Sequence, residues 1–158
     1  MKTFKIHLPL ESYIHNGKVD DFGEIHIKLN NYAFPDKEWT DFGLIIIYWW
    51  MDAFLKLLSG EEKKVGCDFM DGNFRFDVEI MNSPQTWHIS LIKEWADSEE
   101  IKDEGKVDVK QATDEILRVI AEIKDLDIKL GKAEYVRNIN SFTQKFLLAK
   151  QNYSANAG

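Results

Sequence analysis

The chain carries one cysteine, Cys67, in 158 residues, so no intrachain disulfide can form and a reducing cytoplasm is the expected setting. Long apolar runs are missing too. The longest, Phe42 to Met51, ends at Asp52, well short of the roughly 20 residues a bilayer-spanning helix needs. Lys5 and His7 break up the apolar residues of the N-terminus, so no secretory core forms there and export is not expected. The serines lack a Gly-X-Ser-X-Gly elbow, and the His, Cys and acidic residues lack a recognised zinc or iron spacing, so neither nucleophilic catalysis nor a metal or other cofactor is expected. Repeats, low-complexity tracts and interdomain linkers are absent as well. Residues 1–152 are expected to form one domain, with 153–158 as a frayed tail.

What the chain does hold is apolar mass and uneven charge. At 44% hydrophobic and 13% aromatic it can bury a core without staples. Net charge is −2 over residues 1–60, −7 over 61–104 and +2 over 105–158, so the middle third carries the whole excess. An acidic face of this kind repels a phosphate backbone and attracts a basic protein, which argues against direct nucleic-acid binding.

Period-two alternation predicts strands at Thr3–Leu8 and Glu24–Asn31, the second turning Ile25, Ile27 and Leu29 inward and His26 outward. Between them lies a polar loop with an Asn16-Gly17 turn. Thr40 or Asp41 is a candidate N-cap for a helix from Phe42 to about Leu58, stopped by Ser59-Gly60. Its first half is apolar nearly all round and needs cover from a loop, the C-terminal helices or another subunit. A hairpin follows, Val65–Phe69 and Phe74–Ile80, turned tightly at Asp71-Gly72. Phe74, Phe76, Val78 and Ile80 face in, with Arg75, Asp77 and Glu79 facing out. Past a Ser83-Pro84 turn, Trp87, Ile89 and Leu91 extend the inner set, while His88 and Ser90 extend the outer one. Asp97–Lys106 reads as a charged loop, with a short edge strand at Lys106–Lys110. Helical stripes then run from about Gln111 to Leu130 and from Ala133 to Lys150. The sum is an α+β fold: a mostly antiparallel sheet of five or six strands with three helices packed on it.

Candidate chemistry is sparse. Asp77 and Glu79 share a strand face about 6.5 to 7 Å apart, a spacing that could suit an acid and base about a water, but nothing in the sequence supplies an apolar pocket to separate their pKa values. A His26–His88 approach across neighbouring strands could begin a metal site, although outward surface imidazoles are the plainer reading; His7 and His15 show no evident partner. Cys67 sits on the inner face as an inert thiol. Trp49, Trp50 and Trp87 read as core, whereas Trp39 and Trp95 stand at element edges where an aromatic can anchor an interface. The sharpest feature is the crowding of Asp97, Glu99, Glu100, Asp103 and Glu104 into eight positions beside Trp95, with Asp68, Asp77 and Glu79 of the same sign on the neighbouring sheet face. These nine residues form the candidate partner-binding surface.

Four segments give the layout: Trp39-Thr40-Asp41-Phe42-Gly43 opening the apolar helix, Leu57-Leu58-Ser59-Gly60 closing it, Phe69-Met70-Asp71-Gly72-Asn73-Phe74-Arg75-Phe76 as hairpin, and Val107-Asp108-Val109 before the C-terminal helices. Over roughly residues 22–125 this layout resembles the small cytoplasmic immunity proteins of bacterial polymorphic-toxin and contact-dependent growth-inhibition systems. The resemblance implies a non-enzymatic inhibitor of one cognate toxin domain, with no binding residues transferred by position. Acidity favours a basic toxin, a nuclease first, met by a monomer or homodimer. A small hydrolase or ligand-binding domain using the outward carboxylates with His88, and a self-associating structural subunit, are the competing expectations.

Overall fold

The computed structural model describes residues 1–157 of the chain. Its elements in order are β1 (Phe4–His7), a 3-10 turn (Leu10–Tyr13), β2 (Ile14–His15), β3 (Lys18–Val19), β4 (Gly23–Glu24), β5 (His26–Leu29), β6 (Tyr32–Phe34), β7 (Thr40–Asp41), α1 (Gly43–Ser59), β8 (Lys64–Asp68), β9 (Phe74–Ile80), β10 (Thr86–Glu94), β11 (Glu99–Asp108), α2 (Val109–Lys129) and α3 (Ala133–Ala157). The fold is α+β, and every ladder between strands is antiparallel. Its strands divide among a four-stranded sheet ordered β11-β10-β9-β8, a three-stranded sheet ordered β1-β5-β6, and the two-stranded ladders β2-β3 and β4-β7. No helix among the described residues is long and apolar enough to cross a membrane.

Side-chain alternation places the core. The inner face of the larger sheet presents Val65, Cys67, Phe76, Val78, Trp87, Ile89, Leu91 and Val107, all buried. Against it lies α1, where the rings of Trp50 and Phe54 meet Phe76 at 5.0 and 6.5 Å and Phe54 meets Trp87 at 5.4 Å. Phe4 of β1 joins the same cluster, its ring 6.0 Å from both Phe54 and Phe76. From the other side α2 contributes Ile116, Val119, Ile120 and Ile123, and α3 contributes Ile139 and Phe146.

Local chemistry fixes the ends of α1. Gly60, at φ +79°, supplies the left-handed stop that its sequence position predicts. At the start, a Cβ on Gly43 would lie 1.8 Å from the buried Tyr13 hydroxyl, so only glycine fits there. The N-cap differs from expectation: Phe42 occupies it without a side-chain cap. Fully buried Asp41 instead accepts the N–H groups of Phe42 (2.7 Å), Met70 (3.1 Å) and Asp71 (3.1 Å) and the Trp39 indole N–H (3.2 Å), tying α1 to the β8–β9 loop.

Several further expectations are corrected. The supposed polar loop before β4 holds the 3-10 turn and the β2–β3 hairpin, where Asn16 and Gly17 both take positive φ. The turn between β8 and β9 is wider than Asp71-Gly72 alone, closing when the Phe69 N–H donates to the Phe74 carbonyl. Trp49 is 47% exposed rather than core, because its neighbour Trp50 takes the inward helical position. α3 runs past Lys150 to Ala157, since the Tyr153 hydroxyl donates to the Pro84 carbonyl and its ring packs on Trp87; the end of the expected frayed tail, Gly158, lies outside the described residues.

Candidate functional site

The largest correction falls on the acidic segment: Glu99–Asp108 is no loop but a ten-residue strand paired along β10. Its sequence hides this because it forms one edge of the larger sheet and buries little, so no apolar alternation marks it. The expected strand at Lys106–Lys110 is its C-terminal end, and from Val109 the chain is helical, capped by the Asp108 carboxylate accepting from the Gln111 N–H at 2.9 Å.

Register then assembles the outer face in rungs. Lys64, Glu79, His88 and Lys106 lie side by side; so do Gly66, Asp77, Ser90 and Glu104, and so do Asp68, Arg75, Ile92 and Ile101. The β10–β11 ladder shifts between Leu91 and Ile92, which leaves Lys102 as the extra residue of a bulge.

Arg75 is the centre that the sequence did not single out. Its Nε donates to Asp77 at 2.9 Å and Nη2 to Glu99 at 2.7 Å, while Nη1 donates to Glu94. These partners, the Asp77 hydrogen bond first, raise the guanidinium pKa further and hold it charged. Asp77, which parity alone would leave exposed, is buried beside the Arg75 guanidinium. Asp68 lies nearby, and burial together with Glu94 pushes its carboxyl above the ordinary range, against the pull of Arg75. Arg75 therefore serves an excess of anions, with Lys64 as a second cation 3.9 Å from Asp77.

The remaining candidates divide by face. Glu79 is exposed on the outer face. Glu104 is also there, its Oε2 3.5 Å from His88 Nε2. Glu100 points to the other side, where Lys102 at 3.1 Å and the Trp95 indole at 3.2 Å donate to it and hold its pKa below the usual value. Trp95 is 52% exposed, and the Lys93 ammonium sits 4.2 Å from the centre of its ring. Asp97 occupies the turn that the Trp95 N–H closes onto the Ser98 carbonyl at 2.8 Å. Asp103 is separated from the rest, paired with Lys2 at 2.8 Å.

The histidine pairing also differs from the expected one. His26 meets His7 across β1–β5, rings stacked at 4.3 Å, and is 3% exposed with neither ring nitrogen bonded. His88 instead lies 3.4 Å from Ser90 Oγ through Nδ1. Ser90, His88 and Glu104 thus align in the order nucleophile, base and acid, but across an open strand surface. Among the described residues no group of three His, Cys, Asp or Glu is placed to hold a metal ion. Buried Cys67 has its thiol pKa pushed up by burial, as an inert thiol should.

Fold and surface together define an α+β protein with an acidic sheet face bordered by an acidic edge strand. No family model, no curated protein and no solved structure matches the chain.

Proposed function

We propose that the chain is a non-enzymatic, cytoplasmic immunity protein that binds and neutralises a cognate basic toxin domain, with a nuclease as the favoured target. The observation that carries this reading is the gathering of Asp68, Asp77, Glu94 and Glu99 about Arg75, continued by Glu79 and Glu104. Fixed carboxylates on a strand ladder present acceptor oxygens where a nuclease would hold phosphates. Arg75 fixes their positions before a partner arrives, which lowers the cost of ordering them.

Co-expression with the C-terminal domain of a toxin encoded beside this chain tests the reading. Growth rescue and co-purification are expected. Replacing Asp97, Glu99, Glu100 and Glu104 together with lysine should abolish both while circular dichroism stays unchanged; retained rescue would remove this surface from the mechanism.

A hydrolase is the second reading, favoured by the Ser90–His88–Glu104 alignment. Ser90→Ala separates the two, since toxin protection tolerates it and a hydrolase does not.

A further inference from the structure

Parts of three sheet edges in this protein are bonded from within. Gln111 of α2 both accepts from the Phe4 N–H (2.9 Å) and donates to the Phe4 carbonyl (2.6 Å), and Arg118 donates to the Ile6 carbonyl (2.8 Å), which closes the free side of β1. On β8 the Trp50 indole donates to the Asp68 carbonyl at 2.7 Å. At the C-terminal end of β11 the Lys2 N–H donates to the Lys106 carbonyl at 2.8 Å, and the Lys2 side chain lies over Gly105. The first part of β11, Glu99–Glu104, has no such cover. Its span of about 20 Å is the longest open edge among the described residues.

The phase of that edge follows from its closed end. In an antiparallel ladder, alternate residues turn both N–H and C=O away from the neighbour. Lys106 does so towards Lys2, so Glu104 does too, and beyond the bulge Ile101, opposite Ile92, and Glu99, opposite Glu94, take the same orientation. These three residues offer unpaired backbone donors and acceptors to solvent. Ile101, 54% exposed, adds an apolar contact on the outer face, and the Trp95 ring adds one on the other.

The geometry points to Glu99–Glu104 as a strand-addition site for an extended basic segment of a partner protein. This rests on the inhibitor reading above and specifies its mode. Charge selects the occupant. Glu99, Glu100, Asp103 and Glu104 outweigh Lys102 and the Lys2 that pairs with Asp103, so a second copy of this edge would set like charges opposite one another, while a strand alternating cationic and apolar residues lays its cations along Glu99 and Glu104 on the outer face and its apolar residues on the face of Trp95. Main-chain hydrogen bonds supply the docking, and the carboxylates choose the partner.

The probe is a synthetic peptide alternating lysine and valine, added to the full chain and followed by amide hydrogen exchange. At about ten times its dissociation constant, exchange at Glu99, Ile101 and Glu104 should slow about tenfold. Three controls are expected to give no protection: an alternating glutamate–valine peptide, the lysine–valine peptide N-methylated at every residue so that both backbone edges are blocked, and the variant Ile101→Pro, which removes an outward N–H and leaves the β10 ladder in place. Absence of protection by the lysine–valine peptide, or equal protection by its N-methylated form, overturns strand addition. Neither result touches the inhibitor reading, which fails separately if co-expression of the unaltered chain with the toxin domain gives neither growth rescue nor co-purification.

Discussion

Asp41 shows how one residue can hold two segments together. Its buried carboxylate accepts four N–H groups from Trp39, Phe42, Met70 and Asp71, so Asp41→Ala would strand four donors at the junction of α1 and the β8–β9 loop. A loss of about 3 kcal/mol in urea unfolding is expected. His26 makes a pH-dependent counterpart. Burial first, then His7 and Lys28, lowers its pKa to about 4 against the opposing pull of Asp36. The unfolded chain therefore takes up this proton near pH 6.5, before the folded chain does, and stability must fall as pH drops from about 6.5 to 4. The full shift corresponds to on the order of 3 kcal/mol. His26→Phe should flatten that limb of the stability profile; an unchanged slope would show that another group controls it.

The elements differ in how much their own residues reveal. The β8–β9 hairpin, α1 and α2 were legible because each buries one face, and burial writes a period of two or 3.6 into the sequence. β11 was not, for its order comes from pairing with β10 and its charges keep an edge soluble. The same reason hid Arg75, whose meaning appears only when Glu94 and Glu99, facing each other beside the β10–β11 turn, are brought to it. His26 was misplaced because its burial depends on His7, nineteen positions earlier and visible only through β1–β5 register. At the far end of α3, helix propensity gives little signal, and the last turns are held by Tyr153 on Trp87 and the Pro84 carbonyl. Tyr153→Ala should therefore cost about 2 kcal/mol in thermal or urea unfolding and raise amide exchange through the end of α3.

At the scale of the whole molecule, charge is segregated rather than merely negative. Residues 61–104 carry −7 and supply nearly all of the larger sheet's outer face, whereas residues 105–158 carry +2 and lie chiefly in the helices on the opposite side. A basic partner approaching from solution is thus oriented towards the sheet face before contact, and its encounter rate gains from a field that salt screens over about 8 to 10 Å. Carboxylates already fixed on Arg75 change little on binding, so salt acts mainly on the approach. The association rate with the toxin domain should fall at least about tenfold between low and roughly 0.5 M salt, with a smaller change in dissociation. Stopped-flow measurement across that range decides the point: an association rate indifferent to ionic strength would mean that recognition belongs to apolar groups such as Trp95 and Ile101, and that the acidic face serves solubility alone.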